Sequence, residues 1–252
     1  MMSISFFTHK KNSTRGAWNG EYIAIGGAVV VGVALIVLAI IFGGAHSAGT
    51  QASLVPVSQD GRTGLEVGTA PVLGNEHAPH TIVEFFDFQC VACVSYFTEI
   101  KPQIQKEFID TGKARLVGKV LHFIDSYAAK GMGEESVRSA KAALCAQPQG
   151  KFWDLYDAIF TAEATEIRGG TQNENSGNLS EAFLLGEAKR AGIDAQTFTQ
   201  CLSSSLYDSV LEGYLQDAMV ALEGKVGTPS VFIDGVKIEN PFDIEEYKKL
   251  IQ

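Results

Sequence analysis

An apolar run and a Cys-x-x-Cys pair lie next to each other in the segment Thr81-Ile-Val-Glu-Phe-Phe-Asp-Phe-Gln-Cys90-Val-Ala-Cys93. Its first part is a nearly continuous apolar run, which is typical of a central strand covered on both faces. Aromatic and branched apolar residues then recur at helical spacing from Tyr96 to Phe108. The pattern predicts a buried strand that leads directly into a helix, with a Cys-x-x-Cys pair at the start of the helix.

The position of Cys90 at a helix N-terminus has a chemical meaning. The unpaired N–H groups and the macrodipole there favour a thiolate over a thiol, and the thiolate is the nucleophile of disulfide exchange. Cys93 lies one helical turn later, so it can close onto Cys90 or resolve a mixed disulfide formed there. We predict Cys90 as the attacking nucleophile and Cys93 as the resolving thiol; the alternative for Cys93 is a buried structural cysteine.

Half of a zinc site is the alternative interpretation of the Cys-x-x-Cys pair. Zinc takes four ligands, usually from two close-spaced pairs. The sequence has no second Cys-x-x-Cys and no His pair, and Cys145 and Cys201 are single and far apart. The strand–Cys-x-x-Cys–helix context favours redox chemistry, and no metal or cofactor is predicted.

Composition and charge narrow the class of protein. A chain of 252 residues holds one or two domains, and its apolar content suffices for a sizeable core. A net charge of -9 argues against nucleic-acid binding, which requires a basic face. The even set of four cysteines fits an oxidising compartment.

The uncharged, apolar segment Tyr22–Phe42 is predicted to anchor the chain in a membrane. Its 21 residues match the ~20 needed for a helix to cross a bilayer. The alternatives are a buried core helix, which would need polar ends, and a cleaved signal peptide, whose apolar region usually spans about 7–15 residues. The small residues of Ala45-His-Ser-Ala48 keep cleavage open.

Charge predicts the orientation of this anchor. Lys10, Lys11 and Arg15 precede it and should stay in the cytoplasm. We therefore predict a cytoplasmic tail at 1–21, a single pass through the plasma (inner) membrane and an extracytoplasmic remainder. Residues 43–73 are predicted as a linker, since 43–50 are rich in Gly, Ala and Ser.

The chain after Cys93 alternates between sheet and helix. One helix is predicted to about Asp110, bent by Pro102, and a strand over Ala114–Phe123 completes a parallel βαβ unit. From about Glu134 to Glu223 no good strand occurs. Helical patterns cover 134–146, 151–162, 180–191, 194–202 and 206–222, with Ser180 and Asp194 as N-caps and a mobile loop at 167–178.

A hairpin around Asp234-Gly235 and a helix over Asp243–Ile251 close the chain. The order βαβ, helical insert, ββα resembles the thioredoxin fold as elaborated in DsbA-like thiol–disulfide oxidoreductases. Three stretches carry the resemblance, which covers 74–252: Gly74-x-x-x-Ala-Pro-x-Thr-Ile-Val-Glu-Phe-x-Asp-Phe-x-Cys-x-x-Cys93, Gln149-Gly-Lys-Phe-Trp-x-x-Tyr-x-x-Ile-Phe160 and Gly227-Thr-Pro-Ser-Val-Phe-Ile-Asp-Gly235.

The fold class that this resemblance implies is α/β, a thioredoxin-like fold with an inserted all-helical subdomain. The apolar segment Tyr22–Phe42 adds one N-terminal transmembrane helix before it. The thioredoxin-like domain comprises 74–125 and 226–252, and the insert 126–225. Strongly oxidising members often have Pro-His between the cysteines, whereas this chain has Val91-Ala92. We expect the Cys90 thiolate to be less stabilised, which leaves open whether clients are oxidised, isomerised or reduced.

Three further positions follow from the resemblance. Glu84, inside an apolar strand, is the expected buried acid that exchanges a proton with Cys93; the alternative is an outward-facing carboxylate at a sheet edge. Pro229 is the expected cis-proline, which exposes the Thr228 backbone to an extended client chain, whereas an ordinary trans-proline is the alternative.

The insert holds the remaining cysteines and aromatic residues. Cys145 and Cys201 are candidates for a structural disulfide, with two buried thiols as the alternative. His122 is expected at the surface, although it could approach the active site. Phe152, Trp153 and Tyr156 are expected in the core of the insert rather than in a client groove.

These observations predict an extracytoplasmic thiol–disulfide oxidoreductase that forms or rearranges disulfides in exported proteins. Its partners would be clients with cysteines and a membrane redox partner that regenerates the active site. A membrane-tethered reductase and a non-enzymatic binding or chaperone module with a static bridge remain alternatives. The co-occurrence of Glu84, Cys90, Cys93 and Pro229 favours the enzyme over the binding module.

Overall fold

A computed structural model describes residues 61–127, 133–170 and 174–252 of the chain. The predicted cytoplasmic tail, the anchor Tyr22–Phe42 and most of the linker lie outside these residues. Within the described ranges, no helix has the length and apolar character needed to cross a membrane.

A mixed sheet forms the centre of the described fold. Its strands are β1 (Val72–Leu73), β2 (His80–Phe86), β3 (Ala114–Val120), β4 (Ser230–Ile233) and β5 (Val236–Lys237), in the order β1-β3-β2-β4-β5. Central β2 runs parallel to β3 and antiparallel to β4. The predicted parallel βαβ pairing is confirmed, and β3 ends three residues earlier than expected.

The apolar run of β2 is buried on both faces of the sheet. Ile82 packs with Ile104 and Leu116 on one face, while Val83 and Phe85 join the core shared with the insert on the other. This two-sided burial explains why the strand lacks the alternation of a half-exposed strand. The turn that carries the cysteines therefore follows the middle strand of the sheet.

The helix after the cysteines is interrupted rather than simply bent. Helix α1 (Val91–Glu99) ends at Ile100, helix α2 (Lys101–Ile104) follows, and a π-helical turn (Gln105–Ile109) completes the connection to β3. The prediction of one helix bent by Pro102 is therefore wrong in detail. Pro102 lies in the first turn of α2, where its missing N–H is tolerated.

Between β3 and β4 the described chain is helical. The helices are α3 (Ile124–Tyr127), α4 (Glu135–Ala146), α5 (Phe152–Arg168), α6 (Glu181–Arg190), α7 (Ala195–Leu202) and α8 (Asp208–Ala221), with a 3-10 turn (Gln147–Gln149) after α4. The predicted N-caps are confirmed: the Ser180 hydroxyl accepts from the Phe183 N–H at 3.3 Å, and the Asp194 carboxylate accepts from the Thr197 N–H at 2.8 Å.

Two boundaries in this region differ from the prediction. Helix α5 continues six residues past the expected end at Ala162, because residues 162–166 favour helix and Glu163 and Ala164 are buried. The folded unit also begins before residue 74. The buried Lys119 ammonium donates to the Gly64 carbonyl at 2.9 Å, and β1 pairs with β3 inside the segment predicted as linker.

The hairpin and the last helix complete the sheet. Asp234 and Gly235 have φ values of 49° and 86°, as a two-residue turn with positive φ at both positions requires. Helix α9 (Ile244–Leu250) begins at Asp243, whose carboxylate accepts from the Glu245 N–H at 3.0 Å. The hairpin places β4, and the loop that precedes it, directly beside β2.

Candidate active site

The two nearby cysteines lie at the N-terminus of α1 with different exposure. Cys90 is the N-cap residue, with an extended backbone (φ -74°, ψ 115°), and is partly exposed. Cys93 is buried one turn later, and both thiols are free. The turn is held by backbone bonds from the Cys90 N–H to the Asp87 carbonyl at 3.1 Å and from the Val94 N–H to the Cys90 carbonyl at 3.0 Å.

The surroundings give these two thiols opposite acidities. A hydrogen bond with the Cys93 thiol lowers the pKa of Cys90 to about 6, against the effect of burial, and the N–H groups of Ala92 and Cys93 add to this lowering. Burial raises the pKa of Cys93 well above its ordinary range, and the neighbouring Cys90 raises it further. Only Cys90 is therefore a thiolate near neutral pH.

This acidity differs from what the dipeptide between the cysteines suggested. Val91 and Ala92 supply no polar side chain, and the sequence therefore predicted a less stabilised thiolate. In the structure, the stabilising groups are instead the Cys93 thiol, the Thr228 side chain and the backbone N–H groups at the helix N-terminus. These groups depend on backbone geometry rather than on the two intervening side chains.

The loop before β4 lies against Cys90. The Thr228–Pro229 peptide bond is cis. The Cys90 thiol donates to the Thr228 carbonyl at 3.3 Å. Because β4 pairs with β2 from Phe85 to Ile82, the sheet brings this loop to the end of the strand that leads to Cys90.

Glu84 lies inside the sheet and not at its edge. Its backbone pairs with Gly118 of β3 and Val231 of β4, and its side chain is fully buried. Burial raises the pKa of Glu84 to about 7, although the charge of Lys101 and the hydroxyl of Tyr156 act to lower it. A carboxyl group that titrates near neutral pH can hold or release a proton under physiological conditions.

Two residues that the sequence analysis did not assign to the site act on this acid, Tyr156 by a hydrogen bond and Lys101 by its charge. The Tyr156 hydroxyl donates to Glu84 at 3.2 Å, so this core residue of the insert has a polar role as well. The Lys101 ammonium lies 4.8 Å from the centre of the Tyr156 ring and 2.8 Å from the Asp157 carboxylate. A signal for Lys101 existed: it occupies the apolar helical series of Phe97, Ile104 and Phe108.

A second buried acid, Asp87, lies between the end of β2 and Cys90. Its side chain is fully buried and accepts hydrogen bonds from Ser136, Gln89 and Ile124. Burial raises the pKa of Asp87 to about 7. The sequence analysis used Asp87 only as part of a motif, although an acid between Phe86 and Phe88 signalled burial.

The other candidate residues belong to the insert and to the segment just beyond β3. Cys145 of α4 and Cys201 of α7 are joined in a disulfide, with their Cα atoms 5.8 Å apart. Phe152 is buried in the core that the insert shares with the sheet, and Trp153 packs at the edge of this core. His122 is half-buried just beyond β3.

Within the described ranges, no group of three or more His, Cys, Asp or Glu side chains is arranged to hold a metal ion. The Cys90 thiol contacts the Cys93 thiol and the Thr228 carbonyl.

Comparisons with known proteins agree with this geometry. The family model described as Thioredoxin matches residues 66–252. The "Probable disulfide bond formation protein D" of Bacillus anthracis is 31% identical over 73% of this chain and 77% of its own length. The corresponding protein of Bacillus subtilis is 26% identical over 72% of this chain and 75% of its own length.

A solved structure extends the likeness to three dimensions. Oxidised BdbD from Bacillus subtilis superposes with a TM-score of 0.60 at 25% identity, over 74% of this chain and 92% of that one. The shared fold, the helical insert and the relatives' names together identify the activity as thiol–disulfide exchange. The chain therefore belongs to the thioredoxin family and is a DsbA-like thiol–disulfide oxidoreductase.

Proposed function

We propose that this enzyme forms disulfides in exported proteins, with Cys90 as the reacting sulfur and Cys93 as the resolving thiol. A client thiolate attacks Cys90 of the Cys90–Cys93 disulfide, and Cys93 leaves and takes up a proton. A second client thiolate then attacks the client sulfur of this mixed disulfide, and Cys90 leaves as a thiolate. The client loses two electrons, which the enzyme holds as two reduced cysteines.

The unequal acidity of the two thiols is the observation that carries this proposal. A thiolate with a pKa of about 6 is a good leaving group, and its stability in the reduced enzyme favours transfer of the disulfide to the client. The value lies between about 7 for thioredoxin and about 3.5 for DsbA, so we propose an oxidant of intermediate strength.

Glu84 supports the departure of Cys93. Buried Cys93 is a poor thiolate and has to be protonated as it leaves. Glu84, with a pKa of about 7, is available as a proton donor in the protein interior. Lys101 and Tyr156 limit how far burial raises this pKa, and so they keep the proton exchangeable near neutral pH.

Thr228 and Pro229 are the proposed client-binding residues. The Thr228 carbonyl already lies 3.3 Å from Cys90 Sγ, so its backbone borders the reacting sulfur. An extended client could pair its backbone with this loop as an added strand while its cysteine meets Cys90. Such recognition depends on main-chain groups and tolerates many client sequences.

The proposed location is the outer side of the plasma (inner) membrane, with Tyr22–Phe42 as a single anchor and residues 1–21 in the cytoplasm. The Cys145–Cys201 disulfide supports an oxidising compartment. A membrane redox partner would accept the two electrons and restore the Cys90–Cys93 disulfide.

The redox potential tests the direction of this reaction. We expect the full-length chain, equilibrated with glutathione buffers and acid-quenched, to show a potential well above the about -270 mV of thioredoxin. A value at or below that of thioredoxin would support the reductase instead.

The topology is tested separately. In intact cells that carry the full-length chain and have first been treated with dithiothreitol to reduce Cys90–Cys93, a membrane-impermeant thiol reagent should label Cys90. Labelling only after lysis would place the domain in the cytoplasm and contradict the proposed location.

A further inference from the structure

The turn that carries Cys90 contains a second buried acid, Asp87, in addition to Glu84 in the preceding strand. Asp87 lies three residues before Cys90, immediately after β2, and its carbonyl accepts from the Cys90 N–H at 3.1 Å. Its side chain is fully buried. A charge at this position therefore acts on Cys90 through protein interior, where screening is weaker than in water.

Donors from three parts of the chain converge on the Asp87 carboxyl group. The Gln89 N–H contacts one oxygen at 3.1 Å, and the Ile124 N–H, just beyond β3, contacts the other at 3.1 Å. The Ser136 hydroxyl, fully buried in the first turn of α4, lies 2.5 Å from both oxygens. These donors favour the ionised carboxylate, which burial alone would disfavour.

Glu135, the residue before Ser136, forms a second set of hydrogen bonds between the insert and the same turn. The Gln89 amide donates to buried Glu135 at 3.0 Å, and Glu135 also accepts from the N–H groups of Gly177 and Leu179. The described part of the segment predicted as a mobile loop is thereby tied to the active-site turn. The helical insert is thus a direct neighbour of the catalytic turn.

We propose that Asp87, held by Ser136 of the insert, is a positioning residue whose charge sets the acidity of Cys90. Glu84 would exchange a proton with Cys93, and the charge of Asp87 would act on the Cys90 thiolate. The negative carboxylate opposes formation of the Cys90 thiolate, and the thiolate in turn drives Asp87 to bind a proton. Reduction of the disulfide would then take up protons at Asp87 in addition to the one on Cys93. The inference rests on the proposed role of Cys90 as the nucleophile.

Other ionisable groups face Asp87 and its neighbours from the surrounding elements. Cys90 and Cys93 do so from α1, and Asp125 of α3 accepts from the Ser136 and Val137 N–H groups at 3.2 and 2.8 Å. Glu135 lies on α4, Glu84 on β2, and His122 just beyond β3. All of these groups are left unchanged in the experiment below.

The test compares Asp87→Asn and Ser136→Ala with Ser139→Ala in the full-length reduced chain. Ser139 is a matched control, because it is also a fully buried serine of α4 but donates only to the Ser136 carbonyl. The Cys90 thiolate is titrated by its ultraviolet absorbance and by the pH dependence of alkylation. We expect Asp87→Asn to increase the acid dissociation constant of Cys90 about threefold to tenfold, since it removes an opposing charge.

Ser136→Ala should change the dissociation constant in the same direction by a smaller factor, because the loss of a donor favours neutral Asp87. Ser139→Ala should leave it unchanged. A purely structural role would loosen the turn and decrease the constant, so the sign separates the two explanations. If both variants match Ser139→Ala, or if they make Cys90 less acidic, the proposal is wrong. Should Asp87→Asn fail to fold, Ser136→Ala decides.

The parent chain distinguishes this inference from the proposed function. If Cys90 of the unmodified enzyme shows no acidic titration, the proposed nucleophile fails before any variant is compared. If Cys90 titrates as proposed but is insensitive to Asp87→Asn, only the role of Asp87 is excluded.

Discussion

The pairs Cys90–Cys93 and Cys145–Cys201 differ in spacing, exposure and redox state within one chain. The first pair is three residues apart at a helix N-terminus and is reduced, with one sulfur partly exposed. The second pair is 56 residues apart, joins two helices of the insert and is oxidised, with Cys145 buried among apolar side chains.

This difference shows how the surroundings assign a role to a cysteine. Cys90 has a neighbouring thiol and N–H groups that stabilise its thiolate, whereas Cys145 is packed as a hydrophobic residue. Closing a three-residue loop restricts the unfolded chain little, but closing one across 56 residues restricts it strongly. The first pair is therefore suited to exchange electrons, and the second to stabilise the insert.

The largest effect should come from Cys90→Ser. The serine hydroxyl does not ionise near neutral pH and forms no mixed disulfide, so disulfide transfer to a reduced client protein should fall to the uncatalysed rate. The rate of client oxidation measures this directly. Activity comparable with that of the parent would mean that the sulfur of Cys90 is not the reacting atom.

Cys93→Ser provides the matched partner to this experiment. Cys90 remains able to form a mixed disulfide, but the resolving thiol is gone. A covalent enzyme–client species should therefore accumulate and be visible on a non-reducing gel. If such species accumulate with Cys90→Ser instead, the assigned roles of the two cysteines are reversed.

Cys145→Ala combined with Cys201→Ala should reduce stability and leave the chemistry in place. The chain-entropy model gives about 4 kcal/mol for a bridge across 56 residues, so denaturant unfolding should require correspondingly less denaturant. The Cys90–Cys93 potential should not change, because the two pairs share no contact among those described. A large shift in that potential would show that the insert bridge tunes the active site.

The Cys90–Cys93 pair could be predicted as the reactive pair from sequence because the features that indicate it are local. An apolar strand, Cys-x-x-Cys and a helical series are contiguous from Thr81 to Phe108, and Glu84 belongs to the same strand. The Gly227–Gly235 stretch is distant in sequence, and only its resemblance to a known family placed it beside Cys90. The structure brings them together through the pairing of β2 with β4.

Residues that act across the fold were missed for a physical reason. Lys101 and Ser136 reach Glu84 and Asp87 only after the helices pack against the sheet, and neither lies in the active-site motif. The predicted helix end at Ala162 was too early, because burial of Glu163 and Ala164 extends α5 to Arg168. Local propensity carries no information about such tertiary contacts.

Glu84→Gln tests whether ionisation of the buried Glu84 carboxyl group lowers the free energy of unfolding. The pKa of Glu84 is about 7 when folded and 4.5 as a model value, so the folded state holds this proton more tightly. Stability therefore falls as pH rises between these two values, and the full cost of about 3 kcal/mol is present above pH 7. Glutamine does not ionise, so we expect the variant to gain stability relative to the parent between pH 5 and pH 8, measured by urea unfolding.

Lys101→Met is a second test of Glu84, because it changes the pKa of the Glu84 carboxyl group without removing that group. The Lys101 charge lowers the pKa of Glu84, so its loss should raise that pKa and move the pH-dependent loss of stability to higher pH. The same substitution in the Glu84→Gln background should produce no such movement, since no ionisable group remains at position 84. An equal shift in both backgrounds would mean that Lys101 acts through Asp157 and not through Glu84. The disulfide between Cys145 and Cys201 has no thiol to titrate. The pH dependence of stability that Lys101→Met changes should therefore arise near the Cys90–Cys93 pair and not at the insert disulfide.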